Sequence, residues 1–208
     1  MKMNLLVFIL APFLMVLLLP GCRDVAIPEI GSEELEMETE SSMPFDDYDS
    51  EGVRESPDGP KIEYINGARW LIFDSVIWEN DFNGLITTIN GIAVSDNMHY
   101  VSEESVSAVV VKFRIENEAG KLFTTFPDQA ALVTSTGEQI SRPKMWDSDL
   151  IGGEILPGER KEGQVVWHLK AGNAEQIEWI RLEWNAYAGK RGDLRVERTT
   201  HQPEINLQ

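Results

Sequence analysis

The residues able to do chemistry in this 208-residue chain are few and widely spaced. His99, His168 and His201 stand far apart, and only His168 falls on a clearly alternating stretch, opposite in parity to Trp167. A histidine acts as base or activator through a positioned partner, and none is visible in the spacing. There is no G-x-S-x-G elbow, no phosphate-cradling glycine loop and no H-E-x-x-H pair. The one cysteine, Cys22, excludes an internal disulfide, a CxxC redox pair and a thiolate-rich zinc site. Acids outnumber Lys and Arg by 35 to 18, a net charge of -17, which excludes nucleic acid as a partner because a phosphate-neutralising surface needs clustered bases. The expectation is a protein that is not an enzyme and carries no cofactor.

Two acidic groupings have spacing that could hold a ligand. Asp47, Asp49 and Glu51, with Gly52 at the sixth place and Asp58 at the twelfth, follow the ligand spacing of an EF-hand calcium loop. Arg54 replaces the apolar residue of such a loop, Pro57 precedes the last ligand, Asp58 stands where a bidentate Glu belongs, and neither flank reads as an amphipathic helix, so no metal is assigned. The second grouping is Trp146 with Asp147, Asp149 and Glu154, in a stretch from Pro143 onward that has no alternation. An aromatic beside carboxylates on a loop can form a recognition surface. The plainer arrangement folds Trp146 back over one end of the domain. Calcium chelation by Asp147, Asp149 and Glu154 is not assigned either, since three loop acids are common on an acidic surface.

The elements that would carry these residues fall into three parts. Residues 1–21 read as a signal peptide: Lys2, then an unbroken apolar run of 15 residues from Leu5 to Leu19, shorter than the roughly 20 a spanning helix needs. Leu19-Pro20-Gly21-Cys22 resembles the lipobox of bacterial lipoproteins, with Pro20 departing from the usual small or aliphatic residue. That resemblance implies a diacylglyceryl group on the Cys22 thiol, palmitate-type acyl chains, and Cys22 as the first mature residue. Two acyl chains anchor stably where one is marginal, at about 0.8 kcal/mol per buried methylene. Residues 22–60 are the lipidated cysteine and an acidic tether. From Arg23 to Pro60 there are 13 acids and 2 bases with no sustained apolar period, a composition expected to remain disordered and to act as a stalk.

Residues 61–208 carry short strand signals. Val109, Val111, Phe113 and Ile115 alternate with Val110, Lys112, Arg114 and Glu116; Val165, Trp167 and Leu169 repeat the pattern, as do Ile180, Leu182 and Trp184. Ile177 and Trp179 lie on the opposite parity, which suggests a bulge near Trp179. Ala68 to Trp78 and Leu85 to Val94 read as two strands joined through Asn80 to Gly84. Arg191 to Thr200, with Leu194 and Val196, suggests an edge strand before a frayed end at Gln202 to Gln208. Five tryptophans, Trp70, Trp78, Trp167, Trp179 and Trp184, fall in these strands and read as core. The expected fold is all-β, an immunoglobulin-like antiparallel β-sandwich.

Phe113-Arg114-Ile115-Glu116-Asn117-Glu118, Phe126-Pro127-Asp128-Gln129 through Gln139, Ser148-Asp149 to Gly152-Gly153-Glu154, and Lys161-Glu162-Gly163 resemble an uncharacterised family of Gram-positive lipoproteins. Its extracellular domain is similar to the immunoglobulin-like, telokin-like module of phage-immunoprotection lipoproteins. The resemblance covers about residues 62–185 and implies a sandwich outside the membrane, with no enzymatic activity and no site residues to carry over. The function expected from all this is a lipid-anchored binding module on the extracytoplasmic face of the cell membrane. Its partner would be an envelope protein or cell-wall component. A structural accessory subunit of an envelope complex is the alternative, and an envelope hydrolase the third reading.

Overall fold

The computed structural model describes residues 59–74, 78–99 and 105–207 together with Pro44; the leader, Cys22 and the Asp47 to Asp58 loop lie outside the described residues. What is described is all-β, two antiparallel sheets facing each other across one core, with only short 3₁₀ turns besides.

The first sheet contains β1 (Lys61–Ile65), β2 (Ala68–Phe73), β3 (Trp78–Phe82), β4 (Leu85–His99), β5 (Ser105–Asn117) and β10 (Arg160–His168), in the spatial order β1-β2-β4-β5-β10. β2 and β3 lie along the same edge of β4, Leu71 opposite Val94 and Trp78 opposite Ile89, in two different registers. A bulge at Asn90 shifts β4 by one residue against β5 and keeps Ile89 and Ile92 on the same face. The β3–β4 turn is tighter than the sequence suggests. Asn80 and Asp81 are in β3, and Asn83 and Gly84 alone make the turn, at φ of 56° and 92°, the two left-handed residues of a type I′ hairpin.

The second sheet contains β6 (Phe123–Thr125), β7 (Ala131–Thr134), β8 (Gln139–Ile140), β9 (Gly153–Ile155), β11 (Trp179–Tyr187), β12 (Arg198–His201) and β13 (Glu204–Asn206). β6 and β7 share one edge of β11 and are one strand interrupted by the 3₁₀ turn Pro127–Gln129. β12 and β13 share the other edge in one unbroken register, from Tyr187 opposite Arg198 to Trp179 opposite Asn206. Pro203 divides them only because it has no N–H to give; its carbonyl still accepts from Leu182 N–H at 3.0 Å. With β4, β5 and β10 in one sheet, and β11 between β6/β7 and β12/β13 in the other, the strands follow the immunoglobulin Greek key.

Three expectations for the second sheet need correction. Gln202 to Gln208 does not fray through Leu207: Ile205 and Leu207 are buried in the inter-sheet core. The strand before it begins only at Arg198, and Leu194 is fully exposed in a turn. There is no bulge at Trp179, because Ile177 belongs to the end of the preceding 3₁₀ turn, Ala174–Gln176, which tips it into the core.

The core is filled by Val109, Val111, Phe113, Ile115, Val165 and Trp167 from one sheet against Leu132, Ile180, Leu182 and Trp184 from the other. Trp167 bridges the layers, its Nε1–H donating to the Ala130 carbonyl at 3.1 Å. Asn117, fully buried, ends β5 and steers the chain across. Its amide donates to the carbonyls of Lys121 and Ile155, 2.9 Å each, while its oxygen accepts from Ala119 N–H. Trp70 is fully buried but on the outer face of the first sheet, and Trp78 and Trp179 are half-buried, so only Trp167 and Trp184 fill the inter-sheet core outright.

Candidate functional site

β10 has β5 on one side and an open edge on the other. An open edge leaves a row of backbone donors and acceptors unpaired. Residues 144–151 take them up. Lys144 N–H donates to the Val166 carbonyl at 2.7 Å and Asp149 N–H to the Gln164 carbonyl at 2.8 Å. In return Val166 N–H donates to Ser148 Oγ at 2.9 Å and Gln164 N–H to Asp149 Oδ2 at 2.7 Å. Ser148 Oγ–H also donates to the Lys144 carbonyl at 2.8 Å, and Ile151 is sunk into the core beyond. The non-alternating stretch is therefore a substitute strand, held at several points and unable to follow a period of two because it carries the 3₁₀ turn Met145–Asp147.

That turn sends its side chains in opposite directions. Asp147 goes inward: its side chain is 1% exposed and a carboxylate oxygen lies 2.7 Å from His168 Nε2. Burial holds the His168 ring below the usual histidine range, Asp147 opposing that effect and Lys144 adding to it. Trp146 goes outward and is 91% exposed, with Met145 at 67% and Leu150 at 76%. The fold-back arrangement for Trp146 is thus not the one adopted.

The four residues singled out by sequence do not form one constellation. Asp147 is directed to His168 and Asp149 to the edge of β10, so neither carboxylate is presented with Trp146. Glu154 is exposed on β9, where the Lys161 ammonium lies 3.4 Å from the carbonyl oxygens of Gly152 and Glu154 and already supplies a cation. Among the described residues no group of three or more His, Cys, Asp or Glu comes together as a metal site.

Beside the loop is a cleft of about 200 Å³ whose lining includes Asp128, Arg142, Met145, Asp149 and Leu150. That volume is below the roughly 300–1,000 Å³ of small-molecule pockets and suits one side chain of a partner. Asp128 was not singled out by sequence. Burial raises its carboxyl above the usual carboxylate range, with the Gly152 N–H and Lys161 acting the other way. The Asp128 carboxyl fills the space beside Gly152, and a side chain at that position would force it to turn aside. The available signal was Phe126-Pro127-Asp128: proline at the start of the 3₁₀ turn breaks the strand and lifts Asp128 out of the sheet.

The loop and cleft supply an exposed aromatic, flanking aliphatic side chains and one partly desolvated acid beside Arg142. Those are the ingredients of a binding hot spot.

No family model matches the chain, and no curated protein does. Two solved structures are similar to it. One is a functionally unknown protein from Listeria monocytogenes, with 12% identity over 66% of this chain and 85% of that one, TM-score 0.46. The other is a conserved hypothetical protein from Bacillus anthracis, with 13% identity over 62% of this chain and 96% of that one, TM-score 0.40.

Proposed function

We propose that the chain is a lipoprotein held to the extracytoplasmic face of the cell membrane through Cys22, and that its sandwich binds a protein partner at the envelope through the segment Lys144 to Leu150. The observation that carries this reading is the exposure of Trp146 on a segment whose backbone is fastened to β10. Ordering a long side chain on association costs about 0.5–1.5 kcal/mol, and a tryptophan on a pre-set backbone loses little more than its own two torsions. Trp146, Met145 and Leu150 supply apolar contact, and the small cleft lined by Met145 and Leu150 receives one residue of the partner.

The test is cross-linking in intact envelopes, comparing wild type with Trp146→Ala/Leu150→Ala, while labelled palmitate reports the anchor. Wild type should yield a discrete partner adduct that the double variant loses by at least tenfold at equal abundance. Cys22→Ala should lose the label. An adduct of equal yield in the double variant would move the binding surface elsewhere, and label retained in Cys22→Ala would remove the anchor.

A further inference from the structure

The outer face of the first sheet is divided in two. Toward one end it carries Lys112, Arg114, Glu116, Arg160 and Glu162, joined in exposed ion pairs. Toward the other it carries Trp70, Ile72, Ala93, Val110 and Val166, which form a second apolar cluster apart from the inter-sheet core. These are almost completely buried; Trp70, Ala93, Val110 and Val166 expose nothing. Every described member of the cluster belongs to a strand of the first sheet, so no other described element contributes to it. Among the described residues the buried Trp70 Nε1–H has no hydrogen-bond partner.

We infer that this face is covered by the chain's own tether, through the segment Met43-Pro44-Phe45. Pro44 is the one described residue upstream of Gly59; it is buried, and it belongs to the same compact unit as the sandwich, Thr39–Gln208. Met43, Pro44 and Phe45 are three consecutive apolar residues between Ser41-Ser42 and Asp46-Asp47, and Phe45 is the only phenylalanine between Arg23 and Pro60. The other apolar triplet of the tether, Val25-Ala26-Ile27, lies upstream of that unit. Reach is ample. The 16 residue steps from Phe45 to Lys61 can extend about 50 Å, whereas the four strand spacings from β1 to β10 amount to about 19 Å.

The consequence, which rests on Cys22 being the anchor, is a shorter stalk. With docking at Met43 the free tether falls from 38 residues to about 20, and its r.m.s. span from about 31–37 Å to about 22–27 Å. Docking would set how far the Trp146 loop stands from the membrane.

Hydroxyl-radical footprinting of the purified full-length chain tests this without any substitution. Met145, exposed, and Trp167, buried in the inter-sheet core, are internal standards within the same molecule. Met43 should label at least fivefold more slowly than Met145, and Trp70 should remain protected. Phe45→Asp should bring Met43 to the Met145 rate and raise Trp70 labelling severalfold, with Trp167 as the check that the sandwich is intact. Met43 labelling as fast as Met145 in the wild type overturns the inference. So does Trp70 protection that disappears on dilution, which would make a second copy the cover, or protection that survives Phe45→Asp, which would take the cover away from this segment.

Discussion

Trp70 and Trp146 both lie outside the inter-sheet core, and they could hardly be treated more differently. Trp70 sits on a flat strand face and exposes nothing, whereas Trp146 sits on a turn and is 91% exposed. The difference lies in what each backbone can offer around the ring. At Trp70 the neighbouring strands present Ala93, Val110 and Val166, small or branched side chains on which an indole lies flat and over which a further layer can pack. At Trp146 the backbone is occupied in capping β10, and the apolar neighbours Met145 and Leu150 point outward with it. An aromatic outside the main core is therefore structural where the strand surface beneath it is apolar, and available for contact where its loop is fastened but uncovered.

The largest expected effect lies on the covered side. Trp70→Ala should lower the unfolding free energy in urea by about 3–5 kcal/mol, the range for deleting a fully buried aromatic. Arg114→Ala, on the charged half of the same outer face, should change it far less, since its pair with Glu116 is partly open to solvent. Equal losses for the two variants would erase the division of that face.

Burial also gives covered aromatics a pH signature. His201 lies against Trp184, ring centroids 4.9 Å apart, with Trp78 edge-on to both. Burial lowers its pKa from 6.5 to about 4. Between those values the unfolded chain takes up a proton that the folded chain refuses. The contribution of the neutral ring is therefore complete above about pH 6.5 and is lost as the pH falls toward 4, by at most about 3 kcal/mol. In His201→Phe the fall in unfolding free energy from pH 7 to pH 4.5 should be smaller than in wild type by about 1–3 kcal/mol. Parallel pH profiles for the two proteins would mean that His201 is solvated.

Much of this was legible in the sequence, and the exceptions are instructive. The strand at Val109 to Glu116 was readable because Lys112, Arg114 and Glu116 mark one face as solvated. The same strand contains Ala108-Val109-Val110-Val111, apolar on both parities, and β2 reads Ala68-Arg69-Trp70-Leu71-Ile72-Phe73; apolar residues on both faces are the mark of a strand covered on both. A period-two pattern alone does not carry that signal, because it marks one face as apolar without saying whether the other is wet. The end of the chain was misread for a different reason. Pro203 interrupts a strand whose register continues across it, and register is a relation with β11 that no local pattern contains. At the candidate site, Trp146 was legible as the tryptophan off the strands. The direction of Asp147 was not, since its partner His168 is 21 positions away and adjacent only once β10 is paired.

The smallest expected effect is the sharpest test of the uncovered side. Trp146→Ala removes a side chain that is almost wholly in water, so little apolar burial is lost and no cavity is created; the unfolding free energy should change by no more than about 0.5 kcal/mol. Asp147→Ala, one residue on, should cost more, about 1–3 kcal/mol, because it removes a buried carboxylate and leaves the half-buried His168 ring without it. Urea titrations of the two variants beside wild type measure the gap between neighbouring positions on one turn. If Trp146→Ala proved as destabilising as Asp147→Ala, the indole would be serving the fold, and the case for a docking surface at this loop would fall with it.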